Sequence, residues 1–481
     1  MTLDLLIAGE LTPASDDKTY QRRDPVTGQI ATTAAAASVD DALRAVASAQ
    51  NTLEQWSTQG PDARRAVLTK AAEIMEARTA DFVTAMIEET GATKIWAGFN
   101  VHLAAGMLRE AGAMTTQIGG EVIPANKPGT LAMSVAKPRG VCLGIAPWNA
   151  PVILGTRAVA MALACGNTVV LKSSEMCPRT HRLIGECLND AGLPKGAFNV
   201  ISNAPEDAPQ IVKTLIEAPE VRHVNFTGST DVGRIIGRLA GENLTPALLE
   251  LGGKAPLIVL EDADIDGAVN AAIFGAFMNQ GQICMSTERI IVVDAVADEF
   301  VTKLAARAAD LSFGDPRDPV VLGALVTTTS ADKMEELITD ATAKGATVVA
   351  GGTRTGAIHS ATLLDGITSN MRIYAEESFG PVKSIMRVAD TDAAITVAND
   401  TEYGLSAAVF TQDITRALEV ANRIESGICH INGPTVSDEP QMPFGGVKAS
   451  GYGRFGGKAG IAEFTSVRWI TVEDPKQKYP F

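Results

Sequence analysis

Val141-Cys142-Leu143-Gly144-Ile145-Ala146-Pro147-Trp148-Asn149 is an apolar run that stops at a proline and ends on an amide side chain. Six successive uncharged residues suit a strand buried on both faces. The same texture recurs at residues 168–172, 199–201, 223–227 and 256–260, with helical stretches between. Strands alternating with helices at this spacing predict βαβ units, a parallel sheet and a doubly wound nucleotide-binding region. The alternation starts again at residues 289–293, 346–349, 407–410 and 427–431, which predicts a second α/β domain. Upstream, residues 39–117 read as mostly helical. Ser38 is the N-cap of one helix, and a long run over 63–89 is rich in Ala, Met, Glu and Arg.

A chain of 481 residues is too long for one core and predicts two or three domains. With 46% hydrophobic and 20% charged residues it has the profile of a globular protein. Its net charge of −15 repels a polyanion, so no nucleic-acid partner is expected. The first residues lack the basic start and apolar core of a signal peptide, and no apolar run is long enough for a membrane span. Six cysteines without paired spacing fit free thiols in a reducing compartment. Five scattered histidines show no metal-ligand spacing. The expectation is a soluble cytoplasmic enzyme with no metal.

Two segments carry the chemistry. Asn279-Gln280-Gly281-Gln282-Ile283-Cys284-Met285-Ser286 sets a thiol in a glycine-bounded, polar stretch. Leu249-Glu250-Leu251-Gly252-Gly253-Lys254 sets a carboxylate between leucines, just before two glycines. Covalent catalysis on a carbonyl needs such a pair: a nucleophile that forms the adduct and a base that activates water to release it. The plainer alternative makes Cys284 a small buried hydrophobe and Glu250 the end of a strand.

The cofactor signals are also open when taken singly. The literal G-x-G-x-x-G, Gly451-Tyr452-Gly453-Arg454-Phe455-Gly456, follows an irregular glycine-rich stretch rather than a strand, and reads as a structural loop. His223-Val224-Asn225-Phe226-Thr227-Gly228-Ser229-Thr230 is different, because a strand runs into Gly228 and Ser229 and then a helix containing Gly233. That arrangement suits a phosphate at a helix N-terminus, with Gly233 allowing close packing, or an ordinary strand–turn–helix. Lys172 and Glu175 follow a strand end, placed either for ribose hydroxyls or for water. A carboxylate facing the adenosine ribose would repel a 2′-phosphate and favour NAD over NADP. Asn149 offers an oxyanion donor or a turn residue, and Trp148 covers a cofactor or fills a core.

Taken in order, seven stretches carry a resemblance: Pro147-Trp148-Asn149, Lys172-Ser173-Ser174-Glu175, Phe226-Thr227-Gly228-Ser229-Thr230, Leu249 to Lys254, Gly281-Gln282-Ile283-Cys284, Glu376-Glu377-Ser378-Phe379-Gly380-Pro381-Val382 and Pro443-Phe444-Gly445-Gly446-Val447-Lys448. The set resembles the aldehyde dehydrogenase superfamily over essentially the whole chain. Trp96-Ala97-Gly98-Phe99-Asn100-Val101-His102, Ala150 to Arg157 and Ile431 to Val436 look like its bacterial vanillin-oxidising branch, with the salicylaldehyde-oxidising branch next.

The resemblance implies a Rossmann-like NAD-binding domain over 1–118 and 139–252, an α/β catalytic domain over 253–462, and a small β oligomerisation arm over 119–138 and 463–481. It implies Cys284 as nucleophile, Asn149 and the Cys284 N–H around the oxyanion, and Glu250 as base for hydrolysis of a thioester. Trp148, Lys172, Glu175, Gly228, Ser229, Gly233, Leu251, Glu377 and Phe379 fall at cofactor positions, with NAD expected and NADP weaker. Acylating relatives generally lack the glutamate, so Glu250 argues against coenzyme A as acceptor. A homodimer or homotetramer is implied. A pocket of Trp96, Ala150, Arg157, Ile283, Met285 and Phe444 suits an aromatic, hydroxylated aldehyde. Ala150 leaves room for a ring, Trp96 and Phe444 stack on it, and Arg157 meets a ring hydroxyl or phenolate. The alternatives are a surface ion pair for Arg157, a core role for Trp96, a salicylaldehyde, benzaldehyde or semialdehyde substrate, and a non-catalytic binding or structural homologue, against which intact Cys284, Glu250 and Asn149 argue.

Overall fold

In the computed structural model, which describes residues 2–481, Val141–Ile145 is buried at every position and lies inside an eight-stranded sheet. Its parallel centre runs Phe198–Ile201, Thr168–Lys172, Val141–Ile145, Val221–Thr227 and Ala247–Glu250. Burial on both faces is what their continuous apolar texture demands, since helices cover both sides. The edges are antiparallel. Leu5–Ile7 pairs with Phe198–Ile201 on one side, and Gly451–Tyr452 with Ala247–Glu250 on the other. The short edge strand at the G-x-G-x-x-G is therefore packing: a Cβ on Gly451 would lie 2.0 Å from the Leu249 carbonyl oxygen. Residues 451–452, which a boundary at 462 groups with the second sheet, belong to the first.

A seven-stranded sheet follows in the order Thr347–Ala350, Thr362–Asp365, Val382–Val388, Thr287–Val293, Ala255–Val259, Ser406–Phe410 and Ile428–Ile431. All its pairs are parallel except the first. Gly120–Ile123, Leu131–Pro138 and Thr465–Val472 form a separate three-stranded antiparallel ribbon.

The helical layer over 39–117 begins at Ser38, whose hydroxyl accepts from the Asp41 N–H while the Asp41 carboxylate accepts from the Ser38 N–H, a reciprocal cap. The run over 63–89 is two helices, Pro61–Ala77 and Thr79–Thr90, rather than one. Arg78 leaves helical geometry between them at φ −96°, ψ 17°, while its side chain pairs with Asp190 and the Thr79 hydroxyl donates to the Glu76 carbonyl. Among the described residues no helix is long and apolar enough to cross a membrane.

Candidate active site

The first sheet collects the site along its carboxyl edge. Register pairs Ile145 with Lys172 and with Phe226, and Thr227 with Glu250. The residues just beyond these strand ends (Asn149, Lys172 to Glu175, Gly228, Ser229 and Glu250) therefore lie side by side, where doubly wound sheets hold ligands. Five residues after Glu250 the chain enters Ala255–Val259, the first strand of the second sheet in chain order, whose neighbour Thr287–Val293 is entered three residues after Cys284. The exit edge of one sheet thus faces the entry edge of the other, with Glu250 and Cys284 between them.

Three cavities share this cleft. One of about 1020 Å³ is lined by Trp148, Lys172, Glu175, Gly228 and Ser229. A second, about 740 Å³, shares Trp148, Gly228 and Ser229 with it and adds Asn149, Glu250, Leu251, Cys284, Glu377 and Phe379. The third, about 880 Å³, is mostly apolar and is lined by Trp96, Ala150, Arg157, Ile283, Met285 and Phe444. Asn149 and Cys284 line both the second and the third.

Gly233 lines none of these cavities. A Cβ there would fall 2.3 Å from a Leu251 methyl, so its absence lets the helix Thr230–Glu242 close on Leu251. Ser229 caps that helix by accepting from Val232 N–H.

The loop before Cys284 is held in a costly shape. Asn279, Gln280 and Gly281 all lie in the left-handed region, at φ 50°, 56° and 72°. Such geometry costs about 1–3 kcal/mol at a non-glycine residue and persists only where neighbours enforce it. The Gln280 amide donates to the Ala324 carbonyl at 3.0 Å and Gln282 Oε1 accepts from Val326 N–H at 3.0 Å. The Asn149 amide donates to the Gln282 carbonyl at 2.9 Å, and the Asn149 carbonyl accepts from Trp96 Nε1–H and the Asn279 amide. These bonds tie the amide, the tryptophan and the thiol loop together.

Glu250 is buried, and neither of its oxygens has a hydrogen-bond partner. Burial pushes its carboxyl up to about 7, opposed by the Cys284 thiol and Arg157. Burial and the Glu250 charge together hold the Cys284 thiol well above its ordinary value. Glu377 is likewise pushed up to about 7 by burial, against the Gly253 N–H, which donates to it at 2.8 Å. Carboxyls poised near neutrality beside a nucleophile mark a place for proton transfer.

Arg157 is neither at the surface nor free. Its guanidinium is buried and paired with the buried Asp438, and it stacks on Phe444 at 4.2 Å from the ring centroid. Trp96 serves two ends, buried at 3% exposure, stacked on Phe99 and facing the apolar cavity.

Asp438 escapes sequence reasoning because it lies in an aperiodic loop. A second group missed is Lys254, Glu288 and Lys383, all buried, with Glu288 accepting from Lys254 at 2.8 Å, Lys383 at 2.6 Å and Ser378. The matched spacing, four residues after Glu250 and four after Cys284, was its only trace in the chain. Among the described residues no group of His, Cys, Asp or Glu is gathered as for a metal ion.

Residues 12–470 match the aldehyde dehydrogenase family. A vanillin dehydrogenase of Pseudomonas sp. (strain HR199 / DSM 7063) is 60% identical over 477 residues, 99% of each chain. The crystal structure of a salicylaldehyde dehydrogenase from Pseudomonas putida G7, complexed with salicylaldehyde, matches at TM-score 0.98 and 48% identity over 100% of both chains. An NADP-dependent glyceraldehyde-3-phosphate dehydrogenase from Bacillus halodurans C-125, complexed with NADP, matches at TM-score 0.95 and 32% identity over 98% of this chain and 99% of that one. The fold of these structures is the fold of this protein, and the seven ordered motifs pointed to the same family. The chain belongs to the aldehyde dehydrogenase family of NAD(P)-dependent oxidoreductases.

Proposed function

We propose that this enzyme oxidises an aromatic aldehyde, vanillin or another hydroxybenzaldehyde, to the carboxylic acid, with NAD as the preferred acceptor. The observation that carries the reading is the shared wall. Cys284 and Asn149 belong at once to the mostly apolar cavity of about 880 Å³ and to the less apolar one that contains Glu250 and Glu377. An aldehyde in the first cavity meets the thiol where a cofactor in the second can reach it.

Cys284 Sγ loses its proton to solvent and bonds as the thiolate to the carbonyl carbon, whose oxygen becomes an oxyanion beside the Asn149 amide and the Cys284 N–H. The bound dinucleotide supplies a two-electron acceptor for the hydride on that carbon. Glu250 then takes a proton from the water that attacks the thioester carbon, releasing the acid and the thiol.

The two cavities that carry charged groups at the strand ends fit a dinucleotide. Glu377 and Phe379 flank the inner one, the outer one offers Lys172, Glu175 and the Ser229 helix end, and Glu175 disfavours a 2′-phosphate. Residues 1–118 with 139–252 would form the cofactor-binding unit and 253–462 the catalytic one. The ribbon with 119–138 and 463–481 would join copies into a homodimer or homotetramer. Free thiols at all six cysteines suit the reducing cytoplasm.

The salicylaldehyde and vanillin relatives support an aromatic substrate, and the small Ala150 beside Phe444 and Trp96 leaves a ring-sized, apolar site. Measuring kcat/KM for vanillin, salicylaldehyde, benzaldehyde and acetaldehyde, each with NAD and NADP, tests this. Preference for vanillin or another aromatic aldehyde with NAD is expected, and a preference for acetaldehyde overturns it.

A further inference from the structure

The arginine in the substrate cavity poses a problem of charge. A lone buried guanidinium in that wall would be a receptor for a carboxylate at the far end of an aldehyde, as a semialdehyde requires. Arg157 is not alone. Its side chain is 6% exposed and that of its partner Asp438 is 9% exposed, both line the cavity that contains Cys284, and the guanidinium lies over Phe444.

We propose that Asp438 is a specificity-determining residue that cancels the charge of Arg157, so that the cavity admits neutral hydroxylated rings and rejects aldehydes bearing a carboxylate. This deepens the aromatic-aldehyde reading and rests on it.

A carboxylate entering this cavity loses its water and finds no unpaired cation to compensate. To reach Arg157 it must displace Asp438 or sit beside it, and Glu250 adds a second carboxylate near enough to feel both members of the pair. A ring hydroxyl meets none of these costs, being both donor and acceptor. Arg157 uses one nitrogen on Asp438, and Asp438 Oδ1 is a buried acceptor with no hydrogen-bond partner in the protein. Discrimination therefore comes as much from a built-in repulsion as from a contact.

The test compares kcat/KM for 4-carboxybenzaldehyde, its methyl ester, 4-hydroxybenzaldehyde, benzaldehyde and acetaldehyde. It uses the native enzyme, Asp438→Asn, and the double variant Arg157→Met with Asp438→Leu. The native enzyme should take the free acid at least about tenfold more poorly than the ester, which controls for size. Asp438→Asn, which frees Arg157, should raise the acid-to-ester ratio by about tenfold or more, and the double variant, which has no free cation, should not.

A rise in that ratio is a gain that misfolding cannot produce. The proposal is overturned if the native enzyme oxidises the free acid as well as the ester, whatever the variants do. It is also overturned if Asp438→Asn leaves the ratio at its native value, or if the double variant gains equally. Failure of the aromatic reading itself would show separately, as acetaldehyde preferred to benzaldehyde by the native enzyme.

Discussion

At Glu250 a single carboxyl carries two linked consequences. It holds its proton to about 7 in the fold against an ordinary 4.5, because burial strips the water from its charge by more than the Cys284 thiol and Arg157 restore. The folded state thus binds more protons than the unfolded one between those values, and stability falls as pH rises through that window. Ionising the group at pH 8 costs up to about 3 kcal/mol, so Glu250→Gln should melt at a higher temperature than the native protein at pH 8, with the gap closing towards pH 4. Differential scanning calorimetry at the two pH values checks this. In the proposed cycle the same variant should give a burst of NADH and almost no turnover, because the thioester forms but is not hydrolysed, and Cys284→Ser should remove the burst as well. Stopped-flow absorbance separates the two. Glu250 stood out as a candidate in the chain because leucines flank it, and Cys284 because of its polar, glycine-bounded setting, while their roles came only from the ordered set of motifs. Asp438 was not, since an ion pair between a helix and an aperiodic loop leaves no period in either segment.

Among the elements, the joint between the two sheets positions the chemistry. Glu288 has both oxygens bound by buried lysines, which hold its carboxyl well below the usual range. It ties the strand after Glu250 to the strand after Cys284, and through Ser378 to the loop of Glu377 and Phe379. Glu288→Gln leaves two lysines without a counter-charge, and a loss of about 3–5 kcal/mol in urea unfolding is expected. Gly253 faces the same joint: a Cβ there would stand 2.3 Å from the Cys284 carbonyl oxygen. Gly253→Ala should therefore lower kcat about a hundredfold while the far-ultraviolet dichroism stays native, since displacing a reacting atom by about 1 Å is enough. Most inner strands of both sheets were readable from their apolar runs, but Ala247–Glu250, Thr362–Asp365 and Val382–Val388 were not picked out, and the run at 256–260, expected with the first sheet, pairs inside the second. The break at Arg78 was not, because the sequence on either side of it is equally helical.

For the molecule as a whole, the ribbon of Gly120–Ile123, Leu131–Pro138 and Thr465–Val472 leaves Val122, Val467 and Trp469 about three-quarters exposed. Apolar side chains on a ribbon fit burial against a second copy. Trp469→Glu should shift sedimentation velocity towards a smaller species, and an unchanged profile would place the interface elsewhere. The chain by itself determined the family and most inner strands of the two sheets, and it marked the thiol, the carboxylate and the amide as candidates, because these depend on local patterns that persist in one dimension: apolar period, glycine placement and the order of short motifs. Only the tertiary structure decided that Arg157 is paired, that Gly233 packs against Leu251 instead of lining a cavity, and that a buried carboxylate with two lysines locks the joint. Those are facts of distance and desolvation between segments far apart in the chain, and no local pattern records them.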